Sequence, residues 1–348
     1  MAMQTAWRLT ATEPDEHEMV DHLAGYFGAY PREVVVNYYA ILKTKPFVIL
    51  TGPCEVDKME LARGFAEALV GSDSLQCCSF QAHPWWVTHT GDAGYFAAAH
   101  TQFTTLKLLD FIEAAAAGEA AGLAFFVDIE RMSPAEVVCY FGDLPRGRLW
   151  RPGASTARIR LPSNLYVTGT LDVEQESRLV LSQDVYRHAA IIRVEHAHCA
   201  PQAEPRGMSR WRPDWQQCFI NTAIRHHKRA REKLARILPK GHAPMAPVAE
   251  LAHRLRASGL ALAPLVCEEA WLYLANAFDH EGRGLFVEPA IENLRIAQEY
   301  MLVQSVLPRV RSQTTEARIW AEVADYLAPR FSRAHARAEH LSRNGAGG

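Results

Sequence analysis

One segment decides the fold class of this chain: Pro46-Phe47-Val48-Ile49-Leu50-Thr51-Gly52-Pro53-Cys54-Glu55-Val56-Asp57-Lys58-Met59. An apolar strand runs into a loop that begins at Gly52, and an amphipathic helix begins at Lys58. This order is typical of a phosphate-binding loop, whose pattern is Gly-x-x-x-x-Gly-Lys-[Ser/Thr]. Gly52 and Lys58 hold their places in that pattern. The candidate nucleotide-binding residues are therefore Gly52, Pro53, Cys54, Asp57, Lys58 and Met59.

Two positions of this loop depart from the pattern. Asp57 stands where the second glycine belongs, and Met59 stands where the Mg²⁺-binding hydroxyl belongs. Asp57 and Glu55 bring negative charge to the place of a phosphate, and two unit charges about 4 Å apart at an effective dielectric of about 20 repel by roughly 4 kcal/mol. Met59 offers no oxygen to Mg²⁺. We therefore expect that ATP or GTP with Mg²⁺ binds weakly or not at all.

The composition is that of a folded, soluble protein large enough for two domains: 348 residues, 49% apolar, 22% charged and a formal net charge of −2. No apolar run reaches about 20 residues, and the first residues lack a signal-peptide pattern. Seven cysteines without CxxC spacing fit a reducing compartment. We expect a cytoplasmic protein with no membrane partner. We also expect no metal site, because His196, His198 and Cys199 are too close in sequence to reach one tetrahedral ion easily.

Strands that alternate with helices predict an α/β fold, a doubly wound parallel sheet, and the later part of the chain predicts only helices. The predicted strands are 47–51, 75–82, 122–128, 164–170 and 191–195. The predicted helices are 16–27, 31–43, 58–70, 106–117 and 133–144, the last with Ser133 as its N-cap, and then 214–238, 247–258, 263–278, 289–306 and 315–327. The predicted organisation is N-terminal helices (1–45), an α/β nucleotide-fold domain (46–199), a helical lid domain (200–343) that begins with a linker, and a disordered tail (344–348).

Four more residues are candidates for catalysis. Asp128 ends a predicted strand, where a P-loop NTPase keeps the acid that supports Mg²⁺. The catalytic glutamate should follow, but Ile129 stands there and cannot accept a proton from water. Glu130 comes one position late. Asp172 ends the next strand, and Arg187 follows within the segment 181–188.

With these residues in place, the chain resembles AAA+ domains of the McrB-like branch, the motor subunits of modification-dependent restriction systems. The resemblance covers about residues 16–340 and rests on 45–52, 83–86, 91–96, 137–144 (VVCYFGDL), 164–170, 181–188, 264–277 and 296–309 (IAQEYMLVQSVLPR). It implies an Mg²⁺-supporting role for Asp128, a sensor position at Asp172, and an arginine finger at Arg187 that reaches a neighbouring subunit's nucleotide. The departures at Asp57, Met59, Ile129 and Asp172 all lie at positions that bind the nucleotide or take part in hydrolysis in the family. They predict impaired or absent hydrolysis.

A basic segment follows the α/β part. Residues 206–240 contain ten Lys or Arg and two acidic residues. Such a cluster could contact the phosphates of DNA or RNA, and the alternatives are a solvated helix face or a dock for an acidic partner. The candidate residues for nucleic acid or a partner are Arg225, Lys228, Arg229, Arg231 and Lys233.

Three functions fit these observations. The favoured one is a catalytically impaired AAA+ subunit that acts as a structural or regulatory component of an oligomeric, nucleic-acid-targeting defence complex. Its partners would be copies of itself, an active AAA+ paralogue or a nuclease. The second is a slow ATPase or GTPase that uses Lys58, Asp128 and Arg187, with Glu130 in place of the missing glutamate. The third is a nucleic-acid-binding adaptor that acts through the basic segment.

Overall fold

A computed structural model of the chain describes residues 15–27, 30–82, 95–151, 154–172, 181–194 and 212–345. This part of the chain is a mixed α/β protein with a five-stranded parallel sheet and many helices. Its first part contains, in chain order, α1 (Glu16–Tyr26), α2 (Arg32–Thr44), β1 (Phe47–Gly52), α3 (Lys58–Val70), β2 (Cys77–Gln81), α4 (Tyr95–Glu119), β3 (Phe125–Glu130), α5 (Pro134–Val138), β4 (Arg148–Arg151), β5 (Ala154–Arg158), β6 (Leu165–Asp172), α6 (Gln183–His188) and β7 (Ala189–Arg193). Its second part contains α7 (Pro213–Thr222), α8 (His227–Ile237), α9 (Ala246–Ala257), α10 (Pro264–Asn276), α11 (Ala290–Met301), α12 (Leu307–Arg311), α13 (Ala317–Leu327) and α14 (Ser332–Gly345).

The five parallel strands lie in the order β2-β3-β6-β1-β7. Their side chains alternate between two buried faces, as they must on extended strands. On one face Val48, Leu50 and Phe126 pack against α2 and α3. On the other face Ile49 and Val127 pack with residues of α4 and of the segment that follows α5. Helices therefore cover both faces, which is why the strands are apolar runs rather than alternating patterns.

The sequence predicted most of these elements within a few residues. Helix 58–70 is confirmed, and so is the N-cap at Ser133, whose side chain accepts from the Glu136 amide while the Glu136 carboxylate accepts from the Ser133 amide. The predicted helix 133–144 is correct only in its first turn, since a π-helical turn (Cys139–Asp143) and a 3₁₀ turn (Leu144–Arg146) follow α5. The antiparallel pair β4–β5 and the helix α14 are not predicted from the sequence. That helix runs to Gly345, inside the predicted tail.

One predicted helix is two. The segment 214–238 contains α7 and α8, separated at Ala223–His226. The side chain of Asn276 accepts a hydrogen bond from the Ile224 amide (2.9 Å) and donates one to the Ile224 carbonyl (3.0 Å). These bonds replace those that a continuous helix would give to Ile224, so the chain turns here.

A buried charge cluster joins the helical part to the sheet. Lys45, just before β1, lies 2.6 Å from Glu269 of α10, and Arg309 of α12 lies 2.6 Å from the other oxygen of the same carboxylate. Both cations also donate to the Tyr186 carbonyl, at 2.9 and 2.6 Å. Burial lowers the pKa of Lys45 to about 8, against the attraction of Glu269. None of the helices in the described ranges is long and apolar enough to cross a membrane.

Candidate nucleotide-binding loop

The candidate loop lies where the topology of the sheet leaves a crevice. The connection from β1 to β2 contains α3, which covers one face of the sheet. The connection from β6 to β7 contains α6, which packs on the opposite face. Neighbouring parallel strands whose connections diverge in this way open a crevice at their carboxyl ends, where ligands of α/β proteins bind. Gly52 at the end of β1 lies beside Asp172 at the end of β6. The loop and Asp172 therefore meet at this crevice.

Gly52 is required by the close approach of the chain to the end of β7. A Cβ atom at this position would lie 2.1 Å from the Val194 carbonyl oxygen. No side chain fits there, so the glycine that begins the motif is explained by packing alone. It does not by itself indicate nucleotide binding.

The amide groups at the start of α3 already bind an anion from the chain itself. Asp57 is the N-cap of this helix, and its carboxylate accepts from the Met59 and Glu60 amides at 3.2 Å each. These are the N–H groups that a helix N-terminus offers to a phosphate. The pattern Asp57-x-x-Glu60 is a local signal for such a cap, but the sequence analysis treated Asp57 only as a repelling charge.

The ammonium group of Lys58 is enclosed by oxygen atoms. Lys58 is 4% exposed, and its Nζ donates to the carbonyls of Gly52 (3.3 Å), Pro53 (2.8 Å) and Val56 (3.4 Å). It also lies 3.2 Å from a carboxylate oxygen of Asp172. The positive charge that a phosphate-binding loop presents to its ligand is therefore paired within the protein.

The residues of the loop do not fit a nucleotide with Mg²⁺ in the usual way. Met59 is buried in the core on the α3 side of the sheet and offers no oxygen to a metal. Cys54 is exposed, and the nearby charge of Glu55 raises the pKa of its thiol, which keeps the thiol protonated. The loop thus joins the end of β1 to the start of α3, and its donors serve Asp57 and Asp172.

Asp128 lies on the same face of the sheet as α3. It is 5% exposed, and its backbone pairs with those of Ser79 and Thr168 on the neighbouring strands. Burial raises the pKa of Asp128 to about 7, against the opposing effect of Arg63. Near neutral pH this carboxyl is about half protonated, which weakens it as a metal ligand.

Neither residue after Asp128 can activate water from where it lies. Ile129 is fully buried on the opposite face of the sheet. The carboxylate of Glu130 accepts from Arg63 at 2.6 Å and from the Ser79 hydroxyl at 3.4 Å. A general base needs a free carboxylate within reach of the water, and Glu130 is already paired.

Arg187 lies far from the loop of its own chain. It precedes β7 and lines a cavity of about 380 Å³ together with Pro46 and Phe47, at the amino ends of the strands. The loop lies at the carboxyl ends, and a strand of six residues is about 20 Å long. Arg187 is exposed, and from the amino ends of the strands its guanidinium cannot reach the loop of its own chain.

The basic residues of α8 and its approach have different surroundings. Arg225 donates to the Tyr166 hydroxyl at 2.6 Å, and Arg231 lies over the Trp271 ring at 5.2 Å. Lys233 is buried and donates to the Phe278 carbonyl at 2.6 Å. Only Lys228 and Arg229 of the five candidates are exposed without a partner among the residues that the structure describes. These contacts connect residues far apart in sequence, so a count of charges could not reveal them.

Some predicted features fall outside the described residues, namely the aromatic segment 83–86, the cluster of His196, His198 and Cys199, and most of the predicted linker. Within the described ranges no group of three His, Cys, Asp or Glu side chains could hold a metal ion. No protein-family model matches this chain, and no curated protein matches it significantly. The case for a function therefore rests on the motifs and on the geometry of the loop.

Proposed function

We propose that this chain is a non-hydrolysing subunit of the AAA+ type, similar to the McrB-like motors, that acts as a structural or regulatory part of an oligomeric, nucleic-acid-targeting complex. One observation carries the proposal. The anion-binding groups of the loop bind the chain's own carboxylates, with Asp57 on the α3 amides and Asp172 on the Lys58 ammonium.

The arrangement of polar residues along the sheet supports the P-loop part of this proposal. Lys58 follows β1, Asp128 lies on β3, and Asp172 ends β6, all on the face that α3 covers. A parallel sheet in which an interior strand, here β1, runs into a loop and a helix is the framework on which P-loop proteins hold phosphates. The parallel sheet, the loop and α3 of this chain agree with that framework, and the side chains that differ lie at the points where chemistry would occur.

The energetics favour weak binding of nucleotide. A triphosphate would have to displace Asp172 from Lys58 and Asp57 from two amides before it could use either. The exposed Asp57 cap contributes about 1 kcal/mol, and the pair of Lys58 with the half-exposed Asp172 contributes on the order of 1 kcal/mol, so their loss would offset much of what the phosphates gain. A difference of about 1.4 kcal/mol is tenfold in affinity. The wild-type loop should therefore bind nucleotide at least tenfold more weakly than the same loop without these carboxylates.

The alternative of a slow ATPase or GTPase has less support. It requires Glu130 to replace the missing glutamate, but Glu130 is bound to Arg63. It also requires Asp128 to hold Mg²⁺, although burial keeps that carboxyl partly protonated near neutral pH. Arg187 is exposed at the amino ends of the strands, away from its own loop, and this supports a role in contacts between subunits rather than in hydrolysis by its own chain.

The test is isothermal titration of the purified chain with ATP and with GTP, with and without Mg²⁺, beside a Lys58→Ala variant. We expect no nucleotide binding that depends on Lys58, no phosphate release, and an oligomeric state in sedimentation velocity that nucleotide does not change. Micromolar binding and turnover that both disappear in Lys58→Ala would overturn the proposal and identify an active motor.

A further inference from the structure

A second cavity, lined by residues that do not belong to the loop, lies between α7, α8 and the turn after α10. Its volume is about 750 Å³, within the range of about 300–1,000 Å³ that small-molecule sites occupy. The polar side chains around it come from Gln217, Asn221, Thr222, Arg229, Glu232, Lys233, Arg236 and His280. Its lining residues come from the helical part of the chain, which separates it from the crevice at the ends of β1 and β6.

Positive charge faces this cavity from one side of α8. Arg229, Lys233 and Arg236 are four and three residues apart, a spacing that puts them on the same side of a helix. Glu232 is the one acidic residue in the lining. Within the described ranges, Arg229 and Arg236 form no ion pair or hydrogen bond with another residue. Two guanidinium groups are thus left with donors to spare.

Lys233 adds a buried amine to the wall of the cavity. It is 6% exposed, and its Nζ donates to the Phe278 carbonyl at 2.6 Å. An ammonium group has three hydrogens, and the described part of the chain supplies no second acceptor. Burial lowers the pKa of Lys233 to about 7, and Lys43 and Arg236 act in the same direction, against Glu16 and Asp279. An anion in the cavity would stabilise the charged form of this amine.

We propose that this cavity binds a small phosphorylated molecule through Arg229, Lys233 and Arg236. Guanidinium groups bind phosphate oxygens with paired hydrogen bonds, and three basic side chains against one acid match a ligand with more than one negative charge. The side-chain amide of Asn221, which forms no hydrogen bond with another of the described residues, adds a further donor. The concave placement favours a small molecule over a nucleic-acid backbone, because the three side chains line one cavity rather than a strip of open surface.

This site is independent of the proposed function of the loop, and it is tested on the full chain with inorganic pyrophosphate in isothermal titration. The Arg229→Ala/Arg236→Ala variant removes two exposed side chains and should fold normally. Lys228→Ala is the matched control, since Lys228 is exposed on the same helix but does not line the cavity. Lys58→Ala controls for binding at the loop.

We expect pyrophosphate to bind the wild type and both controls equally, and to bind the double variant at least tenfold more weakly, a loss of about 1.4 kcal/mol or more. Several outcomes would overturn the proposal: no binding by the wild type, equal binding by the double variant, or loss of binding in Lys58→Ala. Binding of a single-stranded oligonucleotide without binding of pyrophosphate would likewise overturn it and assign α8 to nucleic acid. A thermal melt by circular dichroism checks that each variant is folded.

Discussion

Lys58 and Asp172 meet across the carboxyl ends of β1 and β6, with the ammonium nitrogen 3.2 Å from a carboxylate oxygen. Side-chain exposure is 4% for Lys58 and 40% for Asp172, so the cation is buried while its partner reaches water. The pair neutralises the charge that a phosphate-binding loop holds for its ligand. Together with the Asp57 cap, it satisfies the cation and the helix amides of the loop without a nucleotide.

The Asp57 cap should contribute measurably to stability. Replacing an N-cap aspartate by alanine costs about 1 kcal/mol, so Asp57→Ala should lower the free energy of unfolding by about that amount in urea titrations. Glu55→Ala is the control, because Glu55 is exposed in the same loop and caps no helix; a surface change of this kind stays within about 0.5 kcal/mol. Equal stability of the two variants would show that the cap does not form.

The effect of sulfate on the melting temperature is a second test of the Asp57 cap. In Asp57→Ala the amides of Met59 and Glu60 lose their carboxylate, so an added anion can bind them. Sulfate should therefore raise the melting temperature of Asp57→Ala more than that of Glu55→Ala, which corrects for general salt effects. An equal rise in both variants would argue against an anion-binding helix start.

The buried cluster of Lys45, Glu269 and Arg309 should contribute strongly to the stability of the fold. Removing one partner of a buried ion pair costs about 3–5 kcal/mol, because the other charge is left buried. Glu269→Ala leaves two cations without their carboxylate, so we expect a loss of that size in urea unfolding. Glu268→Ala, an exposed neighbour on the same helix, should change little. A loss below about 1 kcal/mol for Glu269→Ala would contradict the buried cluster.

Asp128 should make stability depend on pH. Its pKa is about 7 in the folded chain, above the value of about 3.9 in an unfolded one. The folded state therefore holds more protons between these values, and stability falls as pH rises from about 4 to about 7. Asp128→Asn removes the titrating carboxyl and therefore its contribution to the pH dependence of stability. The difference in unfolding free energy between the variant and the wild type should grow over that range, to at most roughly 4 kcal/mol. A difference that does not change with pH would contradict the raised pKa.

Placing the residues that are typical of P-loop NTPases at two positions should not produce catalysis. Ile129 is fully buried on the face away from α3, so Ile129→Glu puts a carboxylate into an apolar core and should destabilise the chain by several kcal/mol. The Met59→Thr/Ile129→Glu variant should release no phosphate from ATP or GTP. Glu130→Gln is the stability control, since Glu130 is partly exposed. Strong turnover by a folded double variant would contradict this account and favour a latent enzyme.

The sequence predicts well those elements whose signals are local. The apolar runs that become β1, β3 and β6 are buried on both faces, and α3 begins and ends where its cap and its following glycine indicate. The break between α7 and α8 could not be predicted, because it depends on Asn276, which lies 52 residues beyond Ile224. The β4–β5 pair carries no clear alternation of apolar and polar residues in either strand.

In the candidate site, too, the local features can be predicted from the sequence and the long-range contacts cannot. The course of the loop follows from its own residues, and even the Asp57 cap is readable from the Asp57-x-x-Glu60 spacing. The pairing of Lys58 with Asp172 spans 114 residues and depends on the neighbouring register of β1 and β6. From the sequence, Asp172 is only a charge that repels phosphate. In the structure its carboxylate pairs with the Lys58 ammonium, the group that would otherwise pair with a phosphate.

The most direct measurement is the affinity for ATP of the Asp57→Gly/Asp172→Asn variant, by isothermal titration beside the wild type. The matched control is Glu55→Gln/Glu60→Gln, which removes two charges from the same region but frees neither Lys58 nor the α3 amides. We predict at least tenfold tighter binding by the first variant, as expected when a helix cap and an ion pair of about 1 kcal/mol each no longer compete. The control should bind as the wild type does, and a further Lys58→Ala change should abolish the gain. An equal gain in both double variants, or none in either, would contradict the claim that the chain's own carboxylates occupy its phosphate-binding groups.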